Sequence, residues 1–499
     1  MMNACVGVSV LGATALLVFA VVTSSCGSDD APAGPRDGGP DGIVVQPPDT
    51  VPPEIRFRMP ADAEEQVWVR NPIRAVFSEP VKLGKDPITL LANGIPIPAS
   101  ASLSDDANVL TIVPKSELPV PATVSVSFGD IEDLHGNALV KRPWSWKAPL
   151  WVRVGDPLKN DGFKSPPLAA GPGERISVLM GVPGREGDLD PPLSLWSSER
   201  TTSPWRQSPA DGIGASSEPP TLLIDKDGVR LMSHVTSDGA VIVKRYTEGR
   251  GWSDIGGDFR SVQSGSTALA VDADGILFLA YDESLADDET NVVVRTLPRG
   301  ATSWSSLGKS VNDSSTEKGA RLRSLTIDKN GKVYVAFRSK TLDGHVRSWS
   351  GTAWIPVGMP LNGGGESALE TSIATNDDAT LFALVSFSDR NLARWWTRIL
   401  RFDGNNWTNH GPDITRGAQV GSLFFAPMRG NRLFAYMSVN PELAPIEVNS
   451  SGWVSIRPPA AATSPDGRLA AGGATIDPEG VPVIGWADNG ILSVARLNR

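Results

Sequence analysis

Cysteine is almost missing from this chain: Cys5 and Cys26 are the only two in 499 residues. Everything beyond residue 26 therefore has no thiol for a disulfide, and the fold must be held by core burial alone. Histidine is nearly as scarce. His135, His234, His345 and His410 lie far apart with no paired metal spacing, which argues against a zinc site. No Gly-x-Ser-x-Gly elbow, Walker loop or nucleotide-binding glycine pattern occurs, and no cofactor or metal is expected. Residues 1 to 25 hold no Asp, Glu, Lys or Arg, so the formal charge of -10 belongs entirely to the rest of the chain. Such a surface repels phosphate backbones, which excludes nucleic acid as a main partner.

The one long apolar run is "VGVSVLGATALLVFAVV" at 6–22, which ends in "TSSC" and turns polar at "GSDD". An apolar stretch with small residues ahead of a cysteine has the form of an export signal. It resembles a bacterial lipoprotein signal, which implies that residues 1–25 are removed and that Cys26 carries the lipid. The protein would then be an outer-membrane lipoprotein of the cell envelope, attached to the membrane through Cys26. The alternative is an uncleaved N-terminal anchor, since a run this short only just spans a bilayer. Residues 26–52 form a tether: positions 27–53 carry seven prolines and five glycines. Such a segment reaches roughly 30 to 80 Å.

From 53 to 148 the texture changes to short runs of alternating apolarity, "EIRFRMP", "IRAVFSEPV", "VLTIVP" and "TVSVSFG", broken by Pro, Gly, Asn and Asp. That is the pattern of an all-β sandwich. "MPADAEEQVWV" (59–69), "IRAVFSEPV" (73–81), "LTIVPKSEL" (110–118), "DIEDLHGNAL" (130–139) and the closing "WSW" (144–146) resemble the S-layer-associated, SbsA-type bacterial Ig-like domains. The resemblance implies a spacer or adhesive module and brings no catalytic residue. Glu79 and Asp133 are carboxylates of the right type for a cation, but Asx residues beside Gly136 are better explained by turn formation.

The remaining residues, 149–499, repeat. "LLIDKDGVRLMS" at 222, "LAVDADGILFLAY" at 269, "SLTIDKNGKVYVAF" at 324, "IATNDDATLFALV" at 373, "FFAPMRGNRLFAY" at 424 and "ATIDPEGVPVIGW" at 474 each form strand, tight turn, strand. A third apolar run follows, then a turn and a tryptophan. The tryptophans are Trp151, Trp205, Trp252, Trp304, Trp354, Trp407 and Trp453. Four strands per fifty residues with one aromatic anchor each predict a seven-bladed β-propeller. "LWVRVG" at 150–155 is a fourth strand without a sheet, and "ILSVARLNR" at 491–499 is a third strand without a successor, so the two should pair and close the ring. The fold class is thus all-β, an Ig-like sandwich followed by a closed seven-bladed propeller.

The Asp-rich turns do not meet the needs of an ion site. An EF-hand loop spreads its oxygens over twelve residues and ends in a bidentate Glu. A sialidase Asp-box wants Asp two residues before Gly, whereas Asp272 and Asp328 precede Gly275 and Gly331 by three. Asp or Asn ahead of a left-handed glycine is what a hairpin turn demands.

Propeller strand order puts the uniform turns on one face and the variable loops, at 181–192, 282–291, 338–344 and 388–397, on the other. Trp395 and Trp396 beside Arg390 and Arg394 are the candidate ligand-binding group, since aromatic planes with guanidiniums suit sugar or peptide contact. Equally, one indole can belong to a strand core and the other cover a neighbouring blade. Asp287 and Asp288 complete the candidate set, although an acidic run in a loop is usually solvated. No carboxylate pair or free tyrosine nucleophile is evident, and Tyr281, Tyr334 and Tyr436 fall inside repeat strands. The leading reading is a non-catalytic recognition or adhesion module whose partner is an envelope protein or glycan. The alternatives are a glycoside hydrolase or lyase acting on surface polysaccharide, and an envelope-assembly scaffold.

Overall fold

The computed structural model describes residues 49–159, 166–181, 193–199, 203–208, 220–236, 238–257, 259–260, 265–285, 289–313, 315–417, 420–439, 442–459, 470–488 and 490–499. The predicted signal segment 1–25, Cys26 and residues 27–48 of the tether lie outside them, as do Asp287 and Asp288.

Period-two apolarity becomes two packed sheets between residues 55 and 148. One has the strand order Ile55–Met59, Ile73–Phe77, Val109–Pro114, Ala99–Leu103. The other runs Trp144–Ala148, Ala122–Phe128, Ile88–Ala92, Ile95–Ile97. In Ile73–Phe77 the residues Ile73, Ala75 and Phe77 are buried while Arg74 points to solvent. They meet Leu110, Val124, Val126, Trp144 and Trp146 in one core. Asp133 shows why its motif is a turn. Its carboxylate accepts from the backbone of His135 (2.7 Å) and Asn137 (2.8 Å) and from the Asn137 side chain (2.7 Å).

Beyond the sandwich lie seven antiparallel sheets, each built on a path of four strands, and three of them carry a short fifth strand. Sheets 1 to 6 occupy residues 168–207, 221–254, 267–306, 321–356, 366–409 and 420–455 in chain order, each with its strands side by side in sequence. Sheet 7 takes three strands from 470–497 and its fourth, Trp151–Arg153, from more than three hundred residues earlier. The register is Trp151 with Leu497, Val152 with Arg496 and Arg153 with Ala495. The first strand of each sheet touches those of the sheets on either side, and that of sheet 7 returns to that of sheet 1, so the contacts form a closed cycle. Pairing the split sheet covers edges that would otherwise recruit other strands.

The tryptophans join consecutive sheets. The indole N–H donates to a backbone carbonyl just past the fourth strand of the preceding sheet: Trp304 to Ile255 (3.0 Å), Trp354 to Leu307 (2.9 Å), Trp407 to Val357 (2.8 Å), Trp453 to Pro412 (3.1 Å) and Trp151 to Arg457 (2.7 Å). One such bond nets about 1 kcal/mol. Burying an indole contributes several times more, so burial holds the sheets together and the bond sets their register. Among these tryptophans, except before Trp151, where Arg457 stands, a glycine four residues after the preceding tryptophan lies against the ring. At Gly256 φ is +78°, and a Cβ there would lie 2.2 Å from Trp304.

The Asp-rich turns satisfy themselves. The Oδ1 atoms of Asp225, Asp272, Asp328, Asn376 and Asp477 each accept from the backbone N–H groups two and four residues on, at 2.8 to 3.1 Å. Sheet 6 has Met428 at this position. There Asp377, from the turn of sheet 5, caps Gly430 (2.8 Å) and Asn431 (3.1 Å) instead.

The sandwich docks on sheet 7. Trp68 enters a core with Met428, Val481, Ile484 and Trp486, and the Arg496 guanidinium sits 4.1 Å from its ring centroid. Asn498 donates to the carbonyls of Val67 (3.0 Å) and Pro149 (2.8 Å) and accepts from the N–H of Val69 (2.9 Å). Arg70 pairs with Glu479 at 2.6 Å.

Candidate binding face

The antiparallel order within each sheet sends the first-to-second strand turns to one end of the cycle. The turns of sheets 3, 4 and 5, with Pro427 of sheet 6, line a single cavity of about 440 Å³ there. Asp272 and Asp328 are committed to their own turns and Asp377 to the turn of sheet 6, as described above. The sandwich meets this end at the 477–481 turn, leaving a cleft of about 740 Å³ that includes Arg70, Lys115, Arg429 and Glu479.

The opposite end carries the second-to-third strand loops. In sheet 5 that loop joins Leu381–Asp389 to Trp395–Phe402. Asp389 organises it by accepting from the N–H groups of Ala393 (2.7 Å) and Arg394 (3.3 Å). Arg390 and Arg394 are exposed, whereas Trp395 and Trp396 are both half-buried. Trp396 stacks on Phe387 with centroids 6.2 Å apart, and the Arg398 guanidinium lies 5.5 Å from the Trp396 ring and 5.4 Å from Phe387. The two indoles thus differ in role: Trp396 is part of a packed stack, and Trp395 stands across from Ser388 on the other side of the strand.

Asp343 in the loop of the neighbouring sheet feels the Arg390 charge as the weakest of several influences. Asp343 is pushed up by burial, but hydrogen bonds from Thr341 (2.6 Å) and Asn362 (2.8 Å) and the charges of His345 and Arg390 outweigh this and hold it below the usual carboxylate range.

Carboxylates near these loops face guanidiniums. Glu317 takes a bidentate bond from Arg347 (2.9 and 2.8 Å) and lies 3.3 Å from His345 Nδ1. Glu366 and Asp413 hold Arg398 between them at 3.0 and 2.7 Å. The tyrosines are engaged as well. Tyr281 accepts from Arg295 Nε at 3.0 Å, and the fully buried Tyr436 donates to the Gly485 carbonyl at 2.7 Å. Burial raises the pKa of both hydroxyls. Burial and the charge of Asp328 push Tyr334 up to about 12.

Sequence reasoning missed a second group at this end, in sheet 4. Arg321 opens the strand Arg321–Ile327 and lies directly opposite Arg338, which ends Val333–Arg338. Arg323 Nε and Arg338 Nη1 aim at the same acceptor, the Leu369 carbonyl of sheet 5, at 3.0 and 3.4 Å. The available signal was "GARLRSLTI" at 319–327: two arginines at period two, where the other quoted repeats begin with small or apolar residues.

Three solved structures illustrate what the chain is similar to. The lectin SapL1 in complex with alpha methyl fucoside shares 15% identity over 60% of this chain and 98% of its own, at a TM-score of 0.40. The PL25 ulvan lyase bound to -[GlcA(1-4)Rha3S]- shares 11% over 75% and 92%, at 0.43. AofleA from Arthrobotrys oligospora shares 9% over 62% and 90%, at 0.38. No curated protein matches the chain. Residues 49–147 match the bacterial Ig-like domain family, and this is the segment that folds as the sandwich.

Proposed function

We propose that the protein is a non-catalytic recognition module of the cell envelope. In this reading the seven sheets are the blades of a β-propeller, the Ig-like domain is its spacer, and residues 26–52 tether both to a lipid on Cys26 in the outer membrane. The loop end of the propeller is the working face and takes a glycan or an envelope protein. One observation carries this: the exposed Arg390–Arg394 loop, ordered by Asp389, and the 338–344 loop of the next blade stand on the end opposite the docked sandwich. Rigid blades presenting two variable loops make a surface suited to selective contact. The opposed carboxylate–guanidinium pairs and engaged tyrosines weigh for binding over glycoside cleavage, which needs two carboxyl groups flanking the scissile bond. Purified protein from residue 27 onward, used as bait against envelope and polysaccharide fractions, should retain a ligand without altering it. Release of shortened saccharides would favour the hydrolase or lyase instead. Retention of outer-membrane proteins alone would favour the assembly scaffold.

A further inference from the structure

Like charges placed directly opposite on neighbouring strands repel, and Arg321 and Arg338 are such a pair. Arg323 joins them by sharing the Leu369 carbonyl with Arg338, so three guanidiniums crowd one end of sheet 4. Nearby carboxylates neutralise them only in part. Asp282 lies 3.8 Å from Arg321, and Glu370 lies 3.5 Å from Arg323. Asp282 is buried and accepts from the N–H groups of Leu322 (2.6 Å) and Ser266 (3.2 Å). Among the described residues neither Arg338 nor Lys340 has an ion-pair partner. Burial and the charges of Arg323 and Arg321 disfavour the Arg338 cation, against the pull of Glu370. An excess of cations is thus held together at the surface of a chain with net charge -10.

We propose that Arg321, Arg323 and Arg338 bind an oxyanion, a uronate carboxylate or a sulfate ester, carried on an acidic saccharide. The saccharide part rests on the recognition reading above, and the charge of the bound group rests on the arginines. Guanidinium forks match the flat carboxylate and the sulfate oxygens through paired N–H donors. A bound anion adds to the countercharge that Arg338 receives only from Glu370, which it shares with Arg323. Since the rest of the surface repels polyanions, binding is local and weakens with salt.

The test uses the full chain in detergent, with oligogalacturonate and a sulfated oligosaccharide as separate probes, neutral dextran oligomers as control, and polyglutamate as the protein-like anion. One or both acidic saccharides should raise the melting temperature, and which one does so separates carboxylate from sulfate. Arg338→Gln should weaken that binding about tenfold or more, the loss of a charge-assisted hydrogen bond. The unliganded variant should melt no lower than the parent, because a repulsion has been removed, and this keeps lost binding distinct from a damaged fold. Equal affinity in parent and variant, or a lower unliganded melting temperature, overturns the site. Polyglutamate binding as tightly as the saccharides overturns the saccharide assignment. Retention of neutral glycans or proteins without acidic saccharides overturns this site while leaving the recognition reading standing, whereas retention of nothing from any fraction removes that reading itself.

Discussion

The Trp304 indole occupies the space that a side chain at Gly256 would need, while its N–H reaches the Ile255 carbonyl at 3.0 Å. The neighbouring Gly257 also has a left-handed φ, +85°, but nothing lies within 4 Å of its missing Cβ. The two positions separate backbone strain from crowding. Gly257→Ala should cost about 1 to 2 kcal/mol, the penalty of a left-handed conformation. Gly256→Ala should cost a further ~1 to 3 kcal/mol for overpacking against the indole. Urea unfolding of the two variants measures the difference, and equal losses would mean that the indole yields freely.

Trp395 and Trp396 should part company under mutation. Trp396→Ala removes one member of the cluster that Phe387, Trp396 and Arg398 form and should destabilise toward the low end of about 3 to 5 kcal/mol, because the ring is only half-buried. Trp396→Phe should be milder, since the Trp396 Nε1 makes no hydrogen bond. Trp395→Ala should leave the melting temperature near the parent's and report on ligand retention alone. Thermal melts alongside retention assays on the single variants check this.

Closure of the cycle rests on the last strand. Deleting residues 490–499 leaves Trp151–Arg153 without its partner and removes Asn498, which ties Val67, Val69 and Pro149 together. Much easier unfolding or aggregation is expected, and a truncated chain with the parent's melting temperature would contradict it. Asn498→Ala is the gentler probe. It leaves buried carbonyls unpaired at a cost of about 1 to 3 kcal/mol and should speed proteolysis near residue 149.

His345 supplies a pH dependence. Burial holds its pKa below the ordinary imidazole value, against the pull of Glu317 and Asp343 and with the help of Arg347. The unfolded chain therefore binds the proton more readily than the folded one. This contribution is fully present above the unfolded pKa of about 6.5 and is lost as pH falls below it. Melting temperatures measured from about pH 7 down to pH 5 should drop more steeply for the parent than for His345→Gln. Parallel curves would show that His345 takes up no proton in that range.

If Cys26 carries a lipid, Cys26→Ser should move the protein into soluble fractions or leave an uncleaved precursor. Unchanged detergent partitioning together with a cleaved N-terminus would contradict the anchor.

What the sequence alone determined is the part written in neighbouring residues. An Asp followed three positions later by glycine calls for a turn in which the carboxylate caps its own backbone, and Asp225, Asp272, Asp328 and Asp477 do this. Period-two apolarity marks the strands, and recurring tryptophans count the sheets, even the one whose strands come from both ends of the repeat. Sheet 1 escaped because its turn is a short 3-10 segment, Pro172–Glu174, instead of an Asp-Gly hairpin. The tertiary structure decided what depends on sheets meeting. Trp396 is packing because Phe387 and Arg398 both come against it. Asp377 caps a turn in another sheet because Met428 there has no oxygen to offer. Arg321, Arg323 and Arg338 become one group only when two strands pair and the Leu369 carbonyl arrives from the next sheet. Local conformational demands act between adjacent residues and leave a pattern in the chain, whereas the convergence of distant side chains is set by the packing of sheets, which no short stretch records.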